Sequence, residues 1–93
     1  MRRRKQTRLE QYESKTFRGL QERLAATVAR LRARRGWTQA DAAHHCEMTI
    51  WQYQRVESGI TNVTFTTLAR VLDGFEIDVK EAFAVVKATS KRS

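Results

Sequence analysis

The sequence predicts an all-α protein: a compact five-helix domain preceded by a basic N-terminal extension. Three observations carry this expectation. Residues 38–59, TQADAAHHCEMTIWQYQRVESG, read as two short helices joined by a tight turn. Apolar residues at Phe17, Leu20, Leu24, Val28 and Leu31 recur at steps of three or four, the spacing of one helical face. The chain has no proline and four glycines, which suits helices with short connections.

The elements follow in order. Residues 1–16 are the basic arm or extension. Residues 1–8, MRRRKQTR, have no apolar periodicity, and Leu9 and Tyr12 begin only a weak helical spacing. The stripe from Phe17 to Leu31 predicts a firm helix, either continuous with that segment or broken near Thr16–Gly19. Gly19 costs about 1 kcal/mol relative to alanine inside a helix, which favours a break or a late start. Gly36 closes this helix just beyond its C-cap, and Arg34 and Arg35 complement the negative end.

Thr38 caps the next helix, and Asp41 three residues on completes a capping box. Ala42, Ala43, Cys46 and Met48 give an inner face of little bulk, so two backbones approach closely. Thr49 caps again; Tyr53 and Val56, with Ile60 just beyond, are the inward positions of a helix that stops at Gly59. Thr64 caps a further helix with Phe65, Leu68, Val71 and Leu72 inward. Asp78 caps a last helix holding Val79, Ala82 and Phe83, and Val85 and Val86 continue its apolar character. The domain is expected over residues 17–87, with 88–93 a polar tail.

Composition narrows the function. The net charge of +8 is concentrated at one end: residues 1–37 hold 12 Lys/Arg against 3 Asp/Glu, and residues 38–93 hold 6 against 7. Concentrated positive charge points to a polyanion, because neutralising phosphates releases condensed counterions. A solvated basic face, or a basic helix lying on anionic lipid, is the alternative source of such a pattern. One cysteine excludes an internal disulfide and fits a reducing cytoplasm. No apolar run approaches the roughly 18 residues of a membrane span, and no signal-peptide core follows the basic start. A single cytoplasmic domain is expected, without a membrane association.

Two short capped helices in this order form the helix-turn-helix arrangement, whose second helix lies in the major groove of DNA. The chain resembles the lambda repressor and Cro-like (Xre-type) helix-turn-helix family. The family's entry into the motif is matched by Leu31, Arg32, Arg35, Gly36, Trp37, Thr38 and Gln39, and its Glu-Ser-Gly ending by Glu57, Ser58 and Gly59. Residues 61–83 are similar to its fourth and fifth helices, so the likeness covers roughly residues 20–83. Glu47 and Glu76 depart from it, standing where the family usually has glycine, and Val63 stands where it often has proline. A left-handed backbone at either glutamate costs roughly 1–2 kcal/mol.

The resemblance implies site residues. Base contacts fall on Ile50, Trp51, Gln52 and Arg55, with Gln54 at the edge. Gln and Arg suit this role, since they read adenine and guanine through paired hydrogen bonds. Ile50 and Trp51 are less usual there. They meet thymine methyls, form an apolar spot for a protein partner, or, for Trp51, lean over the first helices. Backbone contacts fall on Thr38, Gln39, Thr49, Thr61, Asn62 and Thr64. Arg2, Arg3, Arg4 and Lys5 correspond to an arm that wraps the duplex. Arg32 and Glu57 match a structural ion pair, while Arg30, Arg34 and Arg35 are expected on a solvated surface. The implied function is a sequence-specific regulator of transcription, a repressor that binds double-stranded DNA at a palindromic operator as a homodimer. The apolar residues Val79, Phe83, Val85 and Val86 point to the last helix as the main dimer surface, with the Leu9–Tyr12 segment a competing one. The alternative is an antitoxin-type module that neutralises a toxin-like protein partner and represses its own operon.

Other chemistry finds no support. His44, His45 and Cys46 are consecutive, point about 100° apart on a helix, and lack a second ligand pair for zinc. Cys46 is expected in the core with the histidines outside. No nucleophile motif or glycine-rich phosphate loop is present, so neither an enzyme nor a cofactor or metal site is expected.

Overall fold

Ser14 opens the first helix: its hydroxyl accepts from the Phe17 N–H at 3.0 Å. The computed structural model describes residues 14–84. Within them lie α1 (Lys15–Arg34), α2 (Gln39–His45), α3 (Ile50–Ser58), α4 (Phe65–Phe75) and α5 (Val79–Ala82). No strand occurs among the described residues. The Leu9–Tyr12 spacing, the basic arm, the Val85–Val86 continuation and the polar tail lie outside them.

Each start follows from a side-chain cap. Thr38, Thr49, Thr64 and Asp78 all accept from the backbone N–H three residues on. This satisfies one of the donors that every helix N-terminus leaves free. At Thr38 the box is reciprocal, because Asp41 also accepts from the Thr38 N–H at 2.8 Å. Those hydrogen bonds from the Thr38 backbone and hydroxyl hold the Asp41 carboxyl below its ordinary pKa.

Three helices end alike. The N–H groups of Gly36 and Trp37 return to Ala33 and Arg32; those of Glu47 and Met48 return to His44 and Ala43; those of Glu76 and Ile77 return to Asp73 and Leu72. This is the Schellman closure, which needs a left-handed residue. Gly36 supplies it at φ 70°, but Glu47 and Glu76 adopt it at φ 54° and 58°. Both departures from glycine therefore retain the glycine conformation. The residue after each turn (Trp37, Met48, Ile77) packs on the core, which holds the strained turn closed.

The core lies where α1 and α2 meet α3, with α4 and α5 closing it. Tyr53, Phe75, Val28 and Val71 are fully buried, each such side chain worth about 1.5–3 kcal/mol against exposure. Ala42, Ala43 and Cys46 keep α2 thin, so helices come close there.

Three expectations need correction. Gly19 does not break α1; the helix starts late, at Lys15, and runs through Gly19 with nothing within 4 Å of a side chain placed there. Phe65 does not face inward but is 89% exposed, because as the first residue of α4 it precedes the turn that contacts the core. Ile60 likewise does not face inward but is 67% exposed, because it follows the left-handed Gly59 that ends α3.

Candidate nucleic-acid interface

The second helix of the pair, α3, has two unlike faces. Tyr53 and Val56 are buried, while Ile50, Trp51, Gln52 and Gln54 are exposed and Arg55 is half-buried. Its first turn is sealed by Thr49, whose hydroxyl accepts from the Gln52 N–H at 3.0 Å, while Gln52 Oε1 accepts from the Thr49 N–H at 3.0 Å. The sequence signal for this second capping box, Thr49-x-x-Gln52, is readable and was missed by treating Gln52 as a reader of bases alone. Gly59, at φ 76°, ends the helix.

Trp51 and Arg55 stand one turn apart on the outer face. The Arg55 guanidinium carbon lies 4.9 Å from the centre of the Trp51 ring. Trp51 is 63% exposed, so it does not lean over the first helices. The ring's negative face attracts the cation and fixes where the guanidinium fork sits. Trp51, Gln52, Arg55, Thr61 and Asn62 together line a shallow cleft of about 260 Å³.

The two helices of the motif are tied across their outer edge. Gln54 Nε2 donates to Gln39 Oε1 at 3.1 Å, joining the first turn of α2 to α3. The loop before α4 is tied to α1, since Gln21 Nε2 donates to the Thr61 carbonyl at 2.8 Å. Thr64 remains exposed, its hydroxyl accepting from the Thr67 N–H at 3.1 Å. Arg2, Arg3, Arg4 and Lys5 lie outside the described residues.

Beneath this face, Arg32 grips Glu57 with both arms: Nε donates to Oε1 at 2.9 Å and Nη2 to Oε2 at 2.8 Å. Arg32 Nη1 also donates to the Trp37 carbonyl at 3.0 Å. One guanidinium thus fixes the end of α1, the turn into α2 and the end of α3. Its hydrogen bond to Glu57 raises the Arg32 pKa further above its ordinary value. Burial pushes the Glu57 carboxyl up, but hydrogen bonding and charge from Arg32 outweigh it and leave the pKa lowered. The Tyr53 hydroxyl is buried beside Glu57 without a partner in hydrogen-bonding geometry, and burial with that carboxylate raises its pKa far above the usual range.

Arg35 lies exposed, as expected, but its guanidinium reaches back to the fold. It donates to the Phe75 carbonyl at 2.7 Å and lies 5.2 Å from the centre of the Trp37 ring, so it closes the end of α4. Arg70 similarly donates to the Glu47 carbonyl at 2.7 Å. Neither contact has a local sequence signal, because each joins residues far apart in the chain. His44 and His45 are exposed, and the His45 ring stacks 4.0 Å from Trp37. Cys46 is buried, which raises its thiol pKa to about 11. Among the described residues no group of His, Cys, Asp and Glu is placed to hold a metal ion, and no helix is long and apolar enough to cross a membrane.

Comparison with curated proteins and with solved structures gives no match. A family model described as a helix-turn-helix domain matches residues 23–83 of the 93. That span holds α2, α3, α4 and all but the first residues of α1, and it includes the whole outer face of α3. The chain belongs to the helix-turn-helix domain family.

Proposed function

We propose that the protein is a sequence-specific transcriptional regulator of the lambda repressor and Cro-like type, a repressor that binds a palindromic operator as a homodimer. The observation that carries this reading is the outer face of α3, where Arg55 is held over Trp51 beside Gln52 and Gln54. These are the side chains that read guanine and adenine in the major groove. Ile50 and Trp51 add apolar surface suited to thymine methyls. Thr38, Gln39, Thr49, Thr61, Asn62 and Thr64 flank this face and contact the DNA backbone, which fixes register without reading sequence.

The basic segment supplies affinity. Arg2, Arg3, Arg4 and Lys5, with Arg8, act as an arm on the duplex and displace counterions. Deleting residues 1–8 flattens the log–log salt dependence of binding by up to about 4 if all five cations meet phosphate. A single recognition helix offers few base contacts, and two related by symmetry read half-sites about 34–36 Å apart.

The test is in vitro selection of bound DNA, followed by Arg55→Ala on the selected site and on random DNA. The expected loss is about 1–3 kcal/mol on the selected site with relaxed preference at one base position. Equal losses on both DNAs would reduce Arg55 to a phosphate contact. A second reading, the antitoxin-type module, is favoured by the exposure of Ile50 (46%) and Trp51 (63%) on the same face. It requires a protein partner whose binding Trp51→Ala abolishes.

A further inference from the structure

Among the described residues, exposed apolar side chains lie both on α3 and away from it, and those away from it include Leu20, Phe65 and Val79. Phe65 stands 89% exposed at the rim of a groove of about 240 Å³. Phe17, Leu20 and Leu24 of α1 form one wall; Leu68 and Phe83 form the other. Leu20 is 42% exposed, and Val79, one turn before Phe83, is 56% exposed and lengthens the patch. Among the described residues no charged side chain lines the groove, although 30% of the chain is charged.

We infer that this groove receives Phe65 from a second copy of the chain, and that a two-fold axis repeats the contact to join the dimer. The inference rests on the homodimer reading and assigns its surface. A projecting ring and an open apolar socket on one face are self-complementary, which is what an isologous interface needs. The socket has the right size, since a cavity of about 150 Å³ already accommodates a benzene ring.

Charge selects the occupant. Two copies that each carry +8 repel wherever their basic surfaces meet. The uncharged groove is a face on which like copies meet without opposing charges, and Gln21 and Asn62 in its lining both donate and accept hydrogen bonds. An acidic partner would find no cation in it. Asn62 and Val63 line both this groove and the cleft beside Arg55, so the axis runs next to the proposed DNA-facing surface.

The experiment compares the full-length protein with Phe65→Asp by sedimentation equilibrium, alone and on a palindromic site found by selection. Aspartate at the first position of α4 favours the helix, so helicity and the thermal midpoint stay unchanged. Self-association weakens by roughly a thousandfold, because the two-fold doubles each loss, while binding to a single half-site is retained. In an oxidised mixture of Phe65→Cys and Leu20→Cys proteins, a disulfide forms between chains. A Phe65→Asp protein that still dimerises overturns the groove contact and leaves the homodimer reading standing. A wild-type protein that is monomeric both free and on the palindrome overturns both. A thiol–amine reagent that joins Leu20→Cys to Lys87 or Lys91 of its own chain overturns it in favour of the C-terminal segment as occupant.

Discussion

Gly74 lies directly against Cys46: a methyl group at Gly74 would sit 2.6 Å from the Cys46 sulfur and 2.8 Å from its Cα. Here α4 crosses the end of α2 so closely that neither residue has room for another carbon. The contact sets the spacing between α4 and the helix pair that carries the outer face.

Gly74→Ala is therefore expected to destabilise by about 1–3 kcal/mol, the usual cost of overpacking, or more where backbone must move. Gly19→Ala provides the control. Its site is open and helical, so the substitution is expected to stabilise by roughly 0.5–1 kcal/mol. Two denaturation curves decide it. A tolerated Gly74→Ala would show that α4 can shift outward freely.

The glutamates in the two left-handed turns give a prediction of opposite sign. Glu47→Gly removes a left-handed cost of roughly 1–2 kcal/mol and adds a chain-entropy cost of roughly 0.5–1. A net gain of up to about 1.5 kcal/mol is expected, read as a raised midpoint. The Arg70 contact survives, because it is made to the backbone carbonyl of Glu47. A lowered midpoint would mean that the glutamate side chain contributes more than its turn costs.

Glu57 sets an acid limit. Its side chain is 12% exposed and that of Arg32 24%, between the surface and buried extremes. Glu57→Gln should cost about 2–3 kcal/mol at neutral pH, between the roughly 1 of an exposed pair and the 3–5 of a buried one. Because the folded pKa is lowered, the pair's contribution is present above the ordinary value of 4.5 and is lost as pH falls through the folded value. The midpoints of wild type and variant should thus converge as pH falls below 4.5. A constant gap across that range would assign the loss to packing.

Trp51→Ala removes the ring under Arg55. An exposed cation–π contact contributes about 0.5–1 kcal/mol, so the selected DNA should bind severalfold more weakly, with blurred preference at the base Arg55 reads. Trp51→Phe should restore part of it. If the alanine variant keeps both affinity and preference, the ring has no positioning role.

Much of the fold was legible because capping is local. Thr38 with Asp41, Thr49, Thr64, Asp78 and the closures at Gly36 and Gly59 each depend on residues within four or five positions. Phe65 and Ile60 were misread because periodicity marks an apolar stripe without saying where along it packing begins or ends. Of the two outcomes that Gly19 left open, the late start holds and the break does not, because the turns beyond it carry enough buried surface on Leu24, Val28 and Leu31 to offset one glycine. At the candidate interface, the residue types on α3 were legible, but their pairing was not. Gln39 with Gln54, Gln21 with Thr61 and Arg35 with Phe75 meet only after the helices pack.

The first turn of α3 gives the proposed readout a cost. Gln52 closes its own helix by accepting from the Thr49 backbone. Were Gln52 to read an adenine, as proposed, its amide would have to leave that bond, and the released N–H would then be free for a phosphate oxygen. On that reading the side chain would act as a latch that a matching base opens and a mismatched one leaves shut.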